Sequence, residues 1–149
     1  MAITVAVFAK HETPAAITLA EEIASLVESA GQAVWFDPLT AAATDRHPTD
    51  LERFAAADLI VSIGGDGTFL FAAATAGSTP IVGVNLGEVG FLNAVDPADA
   101  VDTVGRLLAE LRAGDPLPIR GLDRLAVTGA AVDPAINEIV IQAPTRGAA

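Results

Sequence analysis

The sequence predicts an α/β domain in which a parallel β-sheet is covered by helices on both faces. Short apolar runs of strand length alternate with longer segments whose apolar residues recur at helical spacing. Repeated strand–helix units of this kind form parallel sheets with crossover helices. The 149 residues are enough for one domain and marginal for two, and a hydrophobic content of 52% excludes a disordered chain.

Four short apolar runs have the length and composition of buried strands. They are Thr4–Ala9, Ala33–Phe36, Leu59–Ile63 and Ile81–Val84. Two further strand-like runs, Arg124–Thr128 and Ile136–Gln142, fall outside the strand–helix alternation. We expect these two runs to begin a second domain that the chain does not complete.

The first helix has clear signals at both ends. Thr13 can cap its N-terminus, Pro14 suits its first turn, and Gly31 stands just past its end. Between these signals an apolar stripe recurs at helical spacing: Ile17, Ala20, Ile23, Ala24 and Val27.

The later connections are predicted from turn and capping residues. We expect a loop from Pro38 to Pro48, a short helix capped by Asp50 and ending near Ala57, a helix over Phe69–Ala76, and a helix from about Ala98 to Arg112 that Asp96-Pro97 caps and Gly114 ends. Ligands of parallel sheets bind at the carboxyl ends of the strands. A site is therefore expected in the segments 10–13, 37–48, 64–68 and 85–91.

Charge and composition exclude several classes of function. The 8 basic and 19 acidic residues give a net charge of −11, which disfavours binding to nucleic acid or to an anionic membrane surface. Cysteine is absent, which excludes disulfides, thiolate metal sites and cysteine catalysis. The uncharged stretch from Gly67 to Gly87 could span a bilayer, but the turn cluster Gly77–Pro80 interrupts it. We therefore expect a soluble, cytoplasmic protein.

The acidic excess allows two interpretations. Lys10 is the one lysine in the sequence, against seven arginines, and an acidic, lysine-poor surface suits a salt-rich cytoplasm. A high-GC genome, which favours Ala, Arg, Asp and Gly codons, would produce the same composition. Stability measured against molar KCl distinguishes the two.

The strongest candidate for chemistry is Gly64–Thr68, a Gly-Gly-Asp-Gly-Thr loop that follows a buried strand and opens a helix. Its N–H groups and the helix dipole converge, and its glycines let the backbone approach an anion such as a nucleotide phosphate. Asp66 would repel phosphates by itself. We expect it to hold Mg²⁺ against them or to accept a proton from an attacking hydroxyl. A turn that needs glycine only for packing is the weaker interpretation.

A second glycine loop, Asn85–Leu92, follows the next strand along the chain with the sequence Asn-Leu-Gly-Glu-Val-Gly-Phe-Leu. Asn85 could hydrogen-bond a ribose or an amide, or it could stabilise the turn. Phe91 and Leu92 are predicted to anchor the loop in the core. Taken alone, this loop favours a structural interpretation.

The remaining candidates are weaker. Asn137 and Glu138 stand in an apolar run, and an exposed strand pair explains them without a function. His11 and His47 have no metal-ligand spacing. Lys10 follows the first strand at the correct edge of the sheet and could meet a phosphate, although a solvated lysine is the simpler interpretation.

In this order the three motifs resemble those of the NAD kinase family: GGDGT at Gly64–Thr68, N-x-G-x-x-GFL at Asn85–Leu92, and an Asn-Glu pair at Asn137 and Glu138. GGDGT alone is shared with diacylglycerol and sphingosine kinases and, more loosely, with phosphofructokinases. The second motif separates NAD kinases from those relatives. The resemblance implies a Rossmann-like domain of the phosphofructokinase and NAD kinase type.

The resemblance also implies a reaction, the transfer of the ATP γ-phosphoryl to the 2′-hydroxyl of the adenosine ribose of NAD, giving NADP. Asp66 would act as general base or orient that hydroxyl, and Mg²⁺ would neutralise the triphosphate. The implied nucleotide-binding residues are Gly64, Gly65, Gly67, Thr68, Asn85, Asn137 and Glu138, of which the last two would hold ribose and adenine. No metal-ligating residue is assigned.

The chain departs from the family pattern in two respects. Phe71 and Ala74 stand where family members often carry basic residues. We also expect the chain to lack most of the family's β-rich domain, including its Thr-Gly-Ser-Thr-Ala-Tyr-like motif. We expect an α/β domain over residues 1–120, and the start of the β-rich domain over 121–149. Its uncovered apolar faces would favour self-association.

Two alternative functions stay open. One is a non-catalytic nucleotide-binding remnant of an NAD kinase, which keeps the phosphate loop and lacks an acceptor site. The other is a different kinase of the GGDGT group, of the diacylglycerol or sphingosine kinase class. The second glycine loop and the Asn-Glu pair argue against this last alternative.

Overall fold

A computed structural model describes residues 2–87, 90–129 and 131–139. The chain divides into two compact units, Met1–Ile119 and Arg120–Ala149. The predicted domain division at residue 120 stays a prediction, because the described part of the second unit contains no strand of a β-rich domain. Within the described residues, no helix is both long and apolar enough to cross a membrane.

The first unit is built on a parallel sheet of four strands in the order β2-β1-β3-β4. The strands are β1 (Thr4–Ala9), β2 (Ala33–Phe36), β3 (Leu59–Gly64) and β4 (Ile81–Asn85). All four predicted strands form, and β3 and β4 each extend one residue beyond the prediction. β1 pairs with β2 on one side and with β3 on the other, with Val7 opposite both Phe36 and Val61.

Helices cover both faces of this sheet, which confirms the predicted fold class. The helices are α1 (Pro14–Ser29), α2 (Pro38–Ala43), α3 (Asp66–Thr75) and α4 (Ala100–Ala113), and there are 3₁₀ helices at Leu51–Ala56 and Pro97–Asp99. Alternate strand residues divide the core between the faces, as the period of two requires. One face packs on α1 and α4, and the other packs on α3 and the first 3₁₀ helix.

The boundaries of α1 agree with the sequence, although one capping contact does not form. The helix follows Thr13 and begins at Pro14, and Gly31 beyond its end has the left-handed φ of +74° that favours glycine. The Thr13 side chain makes no capping hydrogen bond. Burial of the apolar stripe therefore stabilises this helix more than its cap does.

The predicted loop from Pro38 to Pro48 is wrong in its first half, because α2 forms there. Asp37 caps this helix, and its Oδ1 accepts the N–H groups of Leu39 at 3.0 Å and Thr40 at 3.4 Å. Pro38 occupies the first helical position, where its missing N–H is not needed. The pair Asp37-Pro38, which follows the end of β2, thus begins a helix and not the predicted loop.

The other helices form near their predicted places. Asp50 precedes the 3₁₀ helix and Asp96 precedes the second one, but neither side chain makes a capping hydrogen bond. The last helix ends at Gly114, which has φ of +76°. The helix predicted over Phe69–Ala76 begins three residues earlier, at Asp66.

The two strands predicted in the second unit do not form in the described residues. Leu125 and Ala135 make an isolated antiparallel bridge with two backbone hydrogen bonds, and no ladder extends from it. The end of the predicted run Ile136–Gln142, from residue 140 onward, lies outside the described residues. A lone two-stranded pair is marginal in water, so these apolar runs need further strands to become a sheet.

Candidate active site

The candidate site lies where the strand order reverses. From β1 the chain first adds β2 on one side and then β3 on the other, so the carboxyl ends of β1 and β3 form the switch point of the sheet. A cavity of about 210 Å³ opens beside this point. Its lining residues are Phe8, Ala9, Lys10, His11, Asp37, Leu39, Gly67, Thr68 and Phe71.

A larger groove of about 670 Å³ runs along α1, away from the strand ends, and two of its lining residues are Glu21 and Glu22. It contains none of the predicted site residues. Its acidic lining disfavours a phosphorylated ligand. The cavity at the switch point is therefore the better candidate, although it is smaller.

The glycine loop joins β3 directly to α3. Gly64 ends the strand, Gly65 stands at the N-cap position, and Asp66 already belongs to the first turn of the helix. The first N–H groups of a helix have no acceptor within it, and no side chain caps α3. These N–H groups and the positive end of the helix dipole make the loop a site suited to an anion.

The glycines of this loop differ in what they do. A Cβ atom on Gly64 would lie 2.5 Å from Thr68 Oγ1 and 3.2 Å from Lys10 Cβ, so the fold requires glycine there. A Cβ on Gly65 or Gly67 would meet nothing within 4 Å. Gly65 has an ordinary extended backbone with φ of −102°. Packing therefore does not explain Gly65 and Gly67, whereas the close approach of a ligand would.

The carboxylate of Asp66 is held by the loop that follows β4. Oδ1 accepts the N–H of Leu92 and the Nδ2 of Asn93, each at 3.2 Å, and Oδ2 accepts the N–H of Phe91 at 3.2 Å. A carboxylate offers about four lone pairs to donors. The described residues supply three donors, so one lone pair of Oδ2 is available for a ligand. The Asp66 side chain is half-buried.

The loop after β4 returns to the same strand. The N–H groups of Ala94 and Val95 donate to the Gly83 carbonyl, each at 3.1 Å, and Asn85 N–H donates to the Val95 carbonyl at 2.9 Å. The loop's acidic residue, Glu88, and the following Val89 lie outside the described residues. The two predicted glycine motifs thus meet through Asp66.

Asn85 acts in the described structure as a turn residue. Its Oδ1 accepts the N–H of Gly87 at 3.0 Å, and a Cβ on Gly90 would lie 3.1 Å from the same oxygen. Phe91 was predicted to anchor in the core, and this is wrong, since 88% of its surface is exposed. Leu92 is half-buried and serves better as an anchor.

Lys10 lines the cavity together with Gly67 and Thr68 of the glycine loop. The sequence favoured a solvated lysine at this position. Lys10 N–H donates to the Ile63 carbonyl at 2.8 Å, which places the residue beside the end of β3. Its side chain is exposed. Phe71, which stands where a basic residue is frequent in the family, packs its ring edge-on against Phe8 at 5.7 Å. The cavity wall is therefore apolar at that position.

Asp37 is a cavity residue that sequence reasoning missed. Only 2% of its surface is exposed, and it accepts hydrogen bonds from two backbone N–H groups and the Thr40 hydroxyl. Thr40 Oγ1 in turn accepts the N–H of Ala9 at 2.8 Å. These three donors hold the Asp37 carboxylate at the start of α2, and Thr40 links it to β1. The Asp-Pro pair was the signal for this cap.

Of the remaining predicted residues, His11 lines the cavity. Asn137 and Glu138 belong to the second unit and are exposed there. His11 and His47 are exposed as well. No group of three or more His, Cys, Asp or Glu that could hold a metal ion occurs among residues 2–87, 90–129 and 131–139.

Comparison with known proteins gives a consistent result. The family model for the ATP-NAD kinase N-terminal domain matches residues 5–111. The NAD kinase of Natronomonas pharaonis is 46% identical over 143 residues, covering 95% of this chain and 52% of the relative. That of Halobacterium salinarum is 45% identical over 148 residues, covering 96% and 52%. The chain thus spans about half the length of the curated relatives it matches.

Two solved structures share the fold. A yeast NADH kinase complexed with NADH has a TM-score of 0.58 at 23% identity, over 75% of this chain and 38% of that chain. An NAD kinase from Archaeoglobus fulgidus in complex with ATP has a TM-score of 0.52 at 23% identity, over 74% of this chain and 38% of that chain. At this level of identity the likeness concerns the fold alone.

Proposed function

The chain belongs to the NAD kinase family, and we propose that its glycine loop and Asp66 transfer the γ-phosphoryl group of ATP to the 2′-hydroxyl of the adenosine ribose of NAD. One observation carries this proposal. The Asp66 carboxylate is fixed by three hydrogen bonds beside an uncapped helix N-terminus, at the switch point of a parallel sheet. Phosphoryl transfer needs such an acceptor group next to a phosphate site.

The phosphates bind at the start of α3. The N–H groups of its first turn donate to phosphate oxygens, and the open space at Gly65 and Gly67 lets those oxygens approach. A negative group at a helix N-terminus gains about 0.3–1 kcal/mol, and up to about 2 kcal/mol where it is partly buried. Lys10 adds a positive charge from the end of β1, which matters in a chain with a net charge of −11.

Asp66 acts on the acceptor hydroxyl through the free lone pair of Oδ2. The ribose O–H donates to Oδ2, its oxygen forms a bond to the γ-phosphorus, and the bond from that phosphorus to the β,γ-bridging oxygen breaks. The hydroxyl proton passes to Asp66, and ADP leaves with the electron pair of the broken bond. Because Oδ1 already accepts two donors, the hydroxyl has one direction of approach.

Mg²⁺ fits this site as an ion held mainly by substrate. The described residues form no cluster of three potential ligands, and Asp66 is the one acidic residue of the glycine loop. Mg²⁺ commonly takes one or two carboxylates together with phosphate and water oxygens. When bound, it would neutralise charge on the triphosphate. Phosphate and water oxygens would hold it, because the one free lone pair of Asp66 Oδ2 serves the acceptor hydroxyl.

We assign the ribose and adenine of the dinucleotide to Asn137 and Glu138, and Asn85 to the turn that supports the site. Asn137 and Glu138 are exposed in the second unit, where their polar atoms are available to a ligand. One of the two solved relatives is in complex with NADH and the other with ATP. NAD and NADH are therefore both tested as acceptors for this chain.

A second candidate function is nucleotide binding without transfer. One observation favours it: the start of α3 and Asp66 form the phosphate side of the site, whereas Asn137 and Glu138, which we assign to the dinucleotide, are exposed in the second unit. On this alternative ATP binds at the glycine loop and no NADP forms.

The test is product formation by the purified chain. ATP, MgCl₂ and either NAD or NADH are added, and NADP or NADPH is measured with an NADP-specific dehydrogenase. The proposal predicts product that depends on ATP and disappears with excess chelator. ATP binding by calorimetry without product would select the alternative function, and absence of both would reject the glycine loop as a nucleotide site.

A further inference from the structure

The position of Asp66 depends on Asn93, a residue that none of the three sequence motifs contains. Asn93 Nδ2 donates to Asp66 Oδ1 at 3.2 Å. Of the three described donors to this carboxylate, the other two are backbone N–H groups, so Asn93 alone can be removed by substitution without changing the backbone. Only 7% of the Asn93 surface is exposed. Water therefore replaces its amide poorly.

The backbone of Asn93 is fixed against β4. The next two residues, Ala94 and Val95, both donate their N–H groups to the Gly83 carbonyl. A Cβ on Gly83 would lie 2.9 Å from Asn93 Cα and would also collide with its Oδ1. Glycine at this strand position therefore makes the room in which Asn93 sits. The donor is thus held in place by hydrogen bonds of its neighbours to the sheet.

The other end of the same amide is unfavourable for folding. Asn93 Oδ1 is buried and has no hydrogen-bond partner among the described residues. A buried carbonyl without a donor lowers stability, and an apolar side chain of the same shape avoids that loss. The Oδ1 end of the amide therefore weakens the fold, whereas the Nδ2 end holds Asp66.

We propose that Asn93 is a positioning residue that orients the Asp66 carboxylate, so that the free lone pair of Oδ2 faces the acceptor hydroxyl. Its catalytic consequence rests on the proposed function. The terminal torsion of aspartate is broad, so hydrogen bonds rather than rotamer preference set the direction of its oxygens. Without Nδ2, Oδ1 keeps the Leu92 N–H alone, and the carboxylate can turn away.

The test compares three variants of the full chain. Asn93→Leu keeps the shape and removes both polar atoms, and Asn93→Asp keeps the shape and replaces the donor by an oxygen. Glu110→Leu is the matched control, because it removes another buried oxygen without a described partner, Glu110 Oε2, from a helix on the opposite face of the sheet. Thermal unfolding, steady-state kinetics and the ¹³C resonance of the Asp66 carboxyl are measured for each.

For Asn93→Leu we expect kcat to fall roughly tenfold or more, with KM for ATP and NAD within about twofold, because an oriented group is lost and binding groups stay. The unfolding midpoint changes little, because loss of the Nδ2 hydrogen bond and removal of the unpaired Oδ1 offset each other. The Asp66 carboxyl resonance shifts at constant pH. Asn93→Asp shifts it as well, and Glu110→Leu changes neither kcat nor the resonance.

A lower unfolding midpoint with unchanged kcat would show that Asn93 is merely structural and would overturn the proposal. An unchanged Asp66 resonance in Asn93→Leu would overturn it too. If the wild-type chain forms no NADP, the proposed function fails by itself. The carboxyl resonance then still decides the role of Asn93, since it requires no turnover.

Discussion

Gly64→Ala should lower the stability of the fold, whereas Gly65→Ala should lower the affinity for ATP, although the two glycines are adjacent. A methyl group on Gly64 would lie 2.5 Å from Thr68 Oγ1 and 3.0 Å from Thr68 Cβ. Rotation of the Thr68 hydroxyl relieves the first contact only, and the Lys10 stem at 3.2 Å closes the other side. Overpacking of this kind costs about 1–3 kcal/mol of unfolding free energy.

Gly65→Ala should change stability little. A methyl group there meets nothing within 4 Å, and the backbone φ of −102° suits alanine. The reduced freedom of the unfolded chain stabilises by about 0.4–1 kcal/mol, and the weaker N-cap preference of alanine offsets part of this. The same methyl group stands where a phosphate would approach, so ATP affinity should fall.

Thermal unfolding and calorimetry with MgATP separate the two effects. At roughly 2–4 °C per kcal/mol for a protein of this size, Gly64→Ala should lower the unfolding midpoint by several degrees, and Gly65→Ala should leave it nearly unchanged. If Gly65→Ala binds MgATP as the wild type does, the loop is not the phosphate site. If both variants lose stability equally, the packing argument is wrong.

Three further predictions follow from the rest of the molecule. Arg46→Ala should lower the unfolding free energy by about 0.5–1.5 kcal/mol, because Arg46 pairs with Glu28 and Glu21 and lies 5.2 Å from the centre of the Phe36 ring. The matched control is Arg106→Ala at an exposed position of α4. The hydrogen bonds to Glu28 and Glu21 raise the Arg46 pKa, so this contribution is fully present at neutral pH, and an equal midpoint in both variants would contradict it. Molar KCl should stabilise the chain, as expected for the relatives from halophilic archaea that it resembles, and indifference to salt would leave codon bias as the explanation. Light scattering should show self-association through exposed apolar residues such as Ile119 and Val132, and a monomer at all concentrations would refute this.

The sheet could be predicted from the sequence because its signal is local. Each strand is a short apolar run. In the central strands β1 and β3, burial on both faces leaves no polar alternation that would suggest a surface segment. The first helix is equally local, with Pro14 and Gly31 at its ends. The α2 helix was missed because Asp37-Pro38 is a turn signal as well as a helix start. In the structure the Asp37 side chain caps the helix, so the pair begins a helix and not a turn.

The start of α3 and the second unit show a different limit. Two glycines and an aspartate are weak helix formers, yet Asp66 and Gly67 lie in the first turn because packing of Phe69 and Ala72 carries the helix back to β3. In the second unit the apolar runs have strand composition, and they join no sheet among its described residues. Strand propensity depends on neighbours, and composition does not supply them.

The candidate site was predicted in part. The motif Gly64–Thr68 was found because glycines around an acid between a strand and a helix indicate a phosphate site. Its supporting contacts join distant parts of the chain, and a single sequence does not reveal such pairs. Asp66 accepts a hydrogen bond from Asn93, 27 residues away. Gly64 lies beside Lys10, which follows the neighbouring strand β1. The exposed Phe91 was misjudged because an aromatic residue beside leucine resembles a core anchor.

The central claim is that Asp66 takes the acceptor proton beside a phosphate-binding helix terminus. The most direct test measures the rate of NADP formation by the wild type and by Asp66→Asn at saturating MgATP and NAD, with ATP affinity measured on the same samples. Asparagine keeps the shape and loses the base, so we predict that NADP formation falls by roughly 10² or more while ATP affinity is kept. An Asp66→Asn chain that forms NADP at the wild-type rate would contradict the account.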